Sequence, residues 1–493
     1  KGANMYLGID YGTSEIKALL TDEAGNIVQT HGVSLSIQRP QPHWSEQDAD
    51  QWWQATHDLM AAMREKSGEA WRQIKAVGLS GQMHGAVLLD ENDQPLRPVI
   101  LWNDTRSEAE CAELEAAVPD LHAITGNLAM PGFTAPKLLW VAKHEPEIFA
   151  QTATVLLPKD YIRLRMTGRK VSEMSDAAGT LWLDTAKRDW ADEVLAACQL
   201  GRSHMPELIE GSHNSGTLLP EVAAQWGLDA SVIVAGGGGD NAASAVGVGA
   251  VNAGDAFISL GTSGVVFVVN DSYRPAPENA VHCFCHALPE RWHQMSVMLS
   301  AAACLSWYCG LVGVKEAQLM EEIAALSAEE KASAPVFLPY LSGERTPHND
   351  AGASGSFHGI RHSANRAVMG YAVIEGVVFG IADGVRVLRE SGTQIQQASL
   401  LGGGARSPFW AQLLADILKI NIITHKGGAT GGALGAARLA ALACGKSEAE
   451  VCLKPETDRV YTPDAAQADY LAARYRQFGA LYRNELSFRR HDA

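Results

Sequence analysis

Short apolar runs that stop at polar, glycine-containing turns recur along the chain, separated by longer segments with apolar residues at helical spacing. Residues 5–10 are apolar and close on an acid, Asp10. The turn Tyr11-Gly12-Thr13-Ser14 follows, and 16–20 is apolar again, which predicts a β-hairpin. About half the chain later the pattern returns: 257–260 is strand-like, Gly261-Thr262-Ser263-Gly264 makes the turn, and 265–269 forms the second strand. The earlier copy has Asp10 two residues before its glycine and the later one has Ser259, so the copies share architecture but not chemistry. Two such hairpins predict a duplicated domain, with the boundary in the small-residue stretch 248–255.

Between and beyond the hairpins the same reading continues. A helix carrying Trp52 and Trp53 has Asp48 or Asp50 as its cap. A strand over 74–79 runs into Ser80-Gly81-Gln82-Met83-His84-Gly85, and a helix over 134–141 has Pro136 in its first turn. The β-branched run before Ala235 meets four glycines, 236–239, then Asp240, Asn241 and an alanine-rich helix. Residues 365–390 form a long apolar helix buried between layers. A strand over 398–401 leads into Gly402-Gly403-Gly404-Ala405-Arg406-Ser407 and a helix over 408–420, and a second glycine run, 427–435, opens another helix. The alternation of strands and helices gives the class α/β.

Composition adds scale. At 493 residues, 46% hydrophobic and 19% charged, the chain is too long for one core. We therefore expect domains over 5–250 and 251–493, with residues 1–4 before Met5 as a leftover extension. With 40 basic against 56 acidic residues the formal charge is −16, which disfavours nucleic acid and anionic membrane as partners. No membrane span is read from the sequence, and the eight scattered cysteines fit reduced thiols in the cytoplasm. His282-Cys283-Phe284-Cys285-His286 offers metal-ligating side chains, but alternate residues of a strand face opposite ways and cannot converge on one ion. Cys444-Gly445-Lys446-Ser447 resembles the end of a phosphate loop, yet Ala440 stands where a glycine is needed and a helix precedes it.

Candidate chemistry gathers at the ends of strands, where α/β sheets bind ligands. The Gly12, Thr13, Ser14 turn with nearby Lys17 offers N–H groups, hydroxyls and a cation to an anion, while Asp10 can hold a divalent cation through water. Gln82, Met83 and His84 combine an amide, a thioether and an imidazole, which suits a polyhydroxylated ligand. Asp104, in Trp102-Asn103-Asp104-Thr105-Arg106, is a further candidate for the same cleft. Glycines 402–404 let a phosphate or a flat base approach the backbone. Asp240 either caps its helix or stands at the strand end as a reactive carboxylate, with the four glycines leaving room for a ligand.

The paired Gly-Thr-Ser hairpins, residues 81–85, 236–241 and 402–407 together resemble the FGGY family of carbohydrate kinases, over residues 5 to about 440. Residues 132–144, with Lys137 and Trp140, fit one family signature; 355–360 and 372–375 fit another, with Val368 where a polar residue is usual. The resemblance implies two actin-like, ribonuclease-H-like domains around an interdomain ATP and sugar cleft. It implies ATP-dependent phosphorylation of D-xylulose to D-xylulose 5-phosphate in the cytoplasm. Asp240 would be the general base and Asp10 would position Mg²⁺. Gly12, Thr13, Ser14 and Lys17, with Gly261, Thr262 and Ser263, would hold phosphates, while Gly402, Gly403, Gly404 and Ala405 lie along the nucleotide. Gln82, Met83, His84, Asn241 and Asp104 would contact the sugar. A homodimer is compatible with this reading. Another acceptor, such as gluconate, ribulose or glycerol, and an actin-like ATPase without a sugar substrate remain open as alternatives.

Overall fold

The computed structural model describes residues 3–427 and 431–490; Lys1 and Gly2, residues 428–430 of the second glycine run, and residues 491–493 lie outside the described residues. Two mixed sheets organise the chain. In lateral order the first is Asn214–Thr217, Ile233–Ala235, Ile74–Gly81, Met5–Tyr11, Glu15–Thr21 and Ile27–Ser34, with Gly238–Gly239 also pairing with Ile74–Gly81. The second is His282–Cys285, Trp292–Met298, Gly264–Asn270, Ala256–Leu260, Gln397–Leu401, Asn421–His425 and Thr457–Tyr461.

The two sheets repeat one plan. Met5–Tyr11 pairs antiparallel with Glu15–Thr21 and parallel with Ile74–Gly81, which pairs parallel with Ile233–Ala235. Likewise Ala256–Leu260 pairs antiparallel with Gly264–Asn270 and parallel with Gln397–Leu401, itself parallel to Asn421–His425. Both predicted hairpins are therefore present, each as the pivot where antiparallel pairing gives way to parallel. The parallel strands are buried on both faces, which explains why residues 5–9 and 76–80 read as continuous apolar or small runs rather than alternating ones.

The helices follow the sequence closely. Asp48 caps Ala49–Ser67 by accepting from the Asp50 N–H at 2.9 Å, and Asn365 caps Arg366–Glu390. Among the described residues only Arg366–Glu390 is long and apolar enough to cross a membrane, and 89% of its apolar window is buried within the protein. The strand reading of the His282 stretch holds too, with the His282 and Phe284 rings stacked 5.5 Å apart.

One helix departs from a simple division at residue 250. Gly431–Ala443 follows the third parallel strand of the second sheet but lies on the first, against Met5–Tyr11, Ile74–Gly81 and the helix Asp240–Gly247. Its backbone is flush with its neighbours. A Cβ on Gly8 would overlap the carbonyl oxygen of Ala433, one on Gly78 that of Ala436, and one on Gly435 that of Ala243. Only glycine permits this approach, and the neighbours are backbone atoms that cannot rotate away. Gly435→Ala should therefore cost at least about 1–3 kcal/mol of unfolding free energy. Urea denaturation measures it, and an unchanged midpoint and slope would mean the helix can back away from its neighbours.

Candidate active site

Asp10 sits near the end of Met5–Tyr11, side by side with Ser80 of the parallel strand, and the Ser80 hydroxyl donates to its carboxylate at 2.9 Å. Lys17 is its cross-strand partner and makes its own exposed pair with Glu15 at 3.2 Å. The start of Gly431–Ala443 closes over this point: a Cβ on Gly432 would lie 3.0 Å from an Asp10 oxygen. Burial raises the Asp10 carboxyl above its ordinary range, opposed by the Ser80 hydrogen bond and the Lys17 charge.

Asp240 stands beside it. Gly239 rather than Asp240 occupies the cap position, so Asp240 is the first helical residue, and its carboxylate accepts from the Asn241 N–H at 2.9 Å. Burial first, and the negative charge of Asp10 second, push Asp240 up to about 7. A carboxylate whose ionisation is hindered by burial and by a neighbouring acid is an arrangement that favours a cation or a proton transfer.

The four glycines before Asp240 have a different role from the one expected. A Cβ on Gly236 would lie 2.5 Å from the Glu210 carbonyl oxygen, and Gly237, with φ of 86°, would overlap that of Leu79. The glycines admit other parts of this chain, not a ligand. Gly239 alone faces a candidate ligand-contacting side chain, with the Met83 sulfur 3.0 Å from where its Cβ would be.

That contact joins the Gln82, Met83, His84 loop to the turn that leads into Asp240. The His84 Nδ1 lies 2.7 Å from the Gly179 carbonyl oxygen; a carbonyl only accepts, so the proton is on Nδ1 and Nε2 presents a lone pair. Burial lowers the ring to about 3, which keeps it neutral. His84 also has φ of 75°, a conformation rare for a residue with a Cβ and frequent at functional sites. Gln82 donates to Gln47 at 3.1 Å, while its own side-chain oxygen is buried without a partner.

The first hairpin turn is tied to the same loop. Gln47 donates to the Thr13 carbonyl at 2.6 Å, and the Trp102 indole donates to the Thr13 hydroxyl at 2.9 Å. Neither residue was among the sequence candidates. Trp102 is 46% exposed at a strand end, and adjacent Asn103 has a buried side-chain oxygen without a partner. An aromatic next to an amide at a strand end was the available signal, passed over in favour of the acid beside them.

That acid needs correction. Asp104 is wholly buried, and its oxygens accept from the Ser45 N–H at 2.7 Å, the Arg106 N–H at 2.9 Å and the Arg106 guanidinium at 2.7 to 3.0 Å. With both oxygens committed it has nothing to offer a sugar. It anchors an ion network in which Arg106 also meets Glu46, and Arg97 bridges Glu46 and Glu145.

The second hairpin turn and the 402–405 glycines meet at Leu260. A Cβ on Gly402 would lie 2.8 Å from the Leu260 carbonyl oxygen, and one on Gly404 would overlap its side chain. Gly402 has φ of 85°, so both constraints demand glycine there. The Gly261 and Thr262 carbonyls accept from Ala302 and Ala301 at the start of helix Ala302–Val312, while Thr262 and Ser263 stay exposed. Gly261, Thr262, Ser263, Gly402, Gly403 and Ala405 thus lie together at the strand ends in the middle of the second sheet. Asp10, Gly12, Thr13, Ser14, Asp240, Asn241, Met83 and His84 cluster at the strand ends of the first.

Residues 5–247 match the N-terminal domain of the FGGY family of carbohydrate kinases, and residues 256–444 match its C-terminal domain. A xylulose kinase of Escherichia coli strain K12 is 53% identical over 485 residues, covering 98% of this chain and 99% of that protein. Among solved structures, a xyloylose kinase from Brucella ovis superposes with a TM-score of 0.96 at 51% identity, covering 98% of this chain and 100% of that one. A xylulose kinase from Rhodospirillum rubrum gives 0.91 at 29% identity, covering 98% and 99%.

The committed state of Asp104 carries a measurable consequence. Asp104→Ala strands the buried Arg106 guanidinium and should lower unfolding free energy by about 3–5 kcal/mol. In the fraction that folds, the KM for acceptor should stay within about twofold, since the transfer of a contact worth even 1 kcal/mol would change it about fivefold. A large KM rise with full stability would restore Asp104 to the ligand.

Proposed function

The chain belongs to the FGGY family of carbohydrate kinases, and on that premise we propose that it transfers the terminal phosphoryl group of ATP to D-xylulose, giving D-xylulose 5-phosphate. The observation that carries the chemistry is the placement of Asp240, raised to about 7, beside Asp10 and against the Met83 and His84 loop. A base of that strength can take the proton of a sugar hydroxyl as the phosphoryl bond forms.

In this reading Asp240 accepts the proton from the terminal hydroxyl, His84 accepts a hydrogen bond from another sugar hydroxyl at Nε2, and Met83 packs on sugar carbon. Gln82 and Asn241 supply further polar contacts. The two Gly-Thr-Ser turns hold the phosphates of ATP, with Lys17 nearby, and 402–405 receive the nucleotide. Alignment and charge neutralisation are what this reaction asks of a protein, because its transition state is loose and needs little covalent help.

ATP is used with Mg²⁺, and the residues fit that ion. Among the described residues no group of three or more His, Cys, Asp or Glu side chains is placed to hold a metal. Mg²⁺ in phosphoryl transfer leans on one or two carboxylates plus phosphate and water, and Asp10 has one carboxylate with only Ser80 on it. When bound there the ion would neutralise phosphate charge. The reading also carries a division near residue 250 and a cytoplasmic enzyme of small molecules, compatible with a homodimer. The charge of −16 supports it by disfavouring polyanionic partners.

ADP release measured with and without D-xylulose, gluconate, ribulose and glycerol tests the acceptor. D-xylulose should stimulate it most; release at the same rate without any sugar would point to an ATPase instead. Asp240→Asn should lower turnover by about 10² or more while ATP binding survives. The pH profile has a definite sign: protonated Asp240 cannot act as a base, so kcat/KM should fall as pH drops through about 7. With Mg²⁺ saturating, positive charge near Asp10 should shift that acid limb downward.

A further inference from the structure

Beneath the 236–239 turn lies a cluster of charges with no exposure. Lys159, Asp160 and Arg163 come from helix Pro158–Thr167, and Glu173 and Asp176 from the turn that follows. Lys159 reaches Asp160 at 2.9 Å, Glu173 at 2.9 Å and Asp176 at 2.7 Å. Burial alone would lower the Lys159 ammonium, but those carboxylates outweigh it and keep it charged; burial also raises Asp176 well above the usual range. Arg163 donates to the Ala235 carbonyl at 2.7 Å and to the Gly236 carbonyl, and meets Asp160 at 3.3 Å. Assembling five ionisable groups out of water is costly, and an apolar core would serve stability at least as well.

What the cluster does is hold a short piece of chain. Glu173 accepts from both the N–H and the hydroxyl of Ser175. With its proton given to Glu173, the Ser175 oxygen is free to accept, and it does so from the N–H of Gly239 at 3.1 Å. Gly239 is the cap of the helix that Asp240 begins. Four residues after Ser175, the Gly179 carbonyl accepts from His84 Nδ1 at 2.7 Å. A Cβ on Gly179 would lie 2.7 Å from the Met83 methyl and 2.7 Å from the His84 ring. One end of this turn therefore grips the base loop and the other the sugar loop.

We propose that the turn 173–180, anchored on Lys159, is the gauge that sets Asp240 against Met83 and His84, with Ser175 positioning the base and Gly179 positioning the sugar contacts. This rests on the roles of Asp240 and His84 proposed above. Ser175 and Gly179 are positioning residues: each acts through a neighbour.

Separate kinetic signatures follow. Ser175→Ala removes the acceptor for Gly239, and a misplacement of the base by about 1 Å costs up to about 10²-fold, so kcat should fall about 10- to 100-fold with both KM values within about twofold. Ser175→Cys, close in size but a weak hydrogen-bond partner, should show the same loss and serves if the alanine variant does not fold. Gly179→Ala should instead raise the KM for D-xylulose at least about tenfold, leaving the KM for ATP unchanged. Asp240→Asn is measured alongside. If that variant is inactive while the Ser175 variants keep wild-type kcat, the gauge is overturned and the base stands; if Asp240→Asn is active, the base reading itself fails. Loss of thermal stability in the Ser175 and Gly179 variants with unchanged kcat and KM would leave the turn a scaffold only and also overturn the proposal.

Discussion

The contact on which the rest depends is backbone against backbone: helix Gly431–Ala443 lies on the first sheet with only glycine hydrogens between them at Gly8 and Gly78, flanked by Tyr6, Leu19 and Ala76 packing on its alanines. Gly8 and Gly78 on adjacent strands meet the carbonyls of Ala433 and Ala436, and Gly435 meets Ala243 of the helix that Asp240 begins. Three separate pieces of the first half are thus indexed against one helix from the second. Because each contact is to a carbonyl, the fit cannot be relieved by a rotamer change. The consequence is felt at Asp10, which Gly432 approaches from above while Ser80 holds it from the side. This helix follows the strands of the second sheet in sequence and packs on the first.

Around that fixed point the protein sets Asp240 where the negative charge of Asp10 raises its carboxyl. Both residues keep partial exposure, and among the described residues neither is ion-paired with an arginine or lysine, although the Lys17 charge acts on Asp10. Elsewhere the chain shows that it can neutralise buried acids thoroughly: Asp104 and Glu46 have Arg106, and Glu375 has Arg474 at 2.8 Å. Asp10 and Asp240 lack such an ion pair among the described residues, an arrangement that suits the cation and the proton transfer of the proposed reaction. Asp104 was misread from sequence for this reason, since an acid at a strand end looks the same whether or not an arginine two residues later folds back onto it.

Much of the fold was legible because period and punctuation agree. The hairpins announced themselves by repetition, and the parallel strands by unbroken apolar runs ending in polar turns. Asp10, Asp240 and the Met83 and His84 loop were found because polar residues after a buried strand are conspicuous. What stayed hidden depends on distance in sequence. Trp102 and Gln47 matter through Thr13, which no local pattern connects to them. The cluster of Lys159, Glu173 and Ser175 has no local signature, since its meaning lies in a hydrogen bond to Gly239 sixty-four residues away from Ser175. Helix Gly431–Ala443 was expected, yet its sheet was not, because small residues meeting residues hundreds of positions earlier leave no local pattern that names the partner.

The glycines near Asp240 show how a local pattern can suggest a purpose that the packing does not bear out. Read locally, four in succession suggest space kept for a ligand. In the structure Gly236 and Gly237 are filled by the carbonyls of Glu210 and Leu79, and only Gly239 borders a side chain of the candidate sugar site. The run is there because the chain must pass between the first sheet, the Glu210 turn and the buried arginine that holds the carbonyls of Ala235 and Gly236. A carboxylate raised to about 7 needs a rigid seat, since its pKa depends on how little water reaches it and on its separation from Asp10. Tight packing behind Asp240 and an acid beside it are thus two halves of one requirement for the proposed base: the first fixes where the carboxylate stands, the second how strongly it wants a proton.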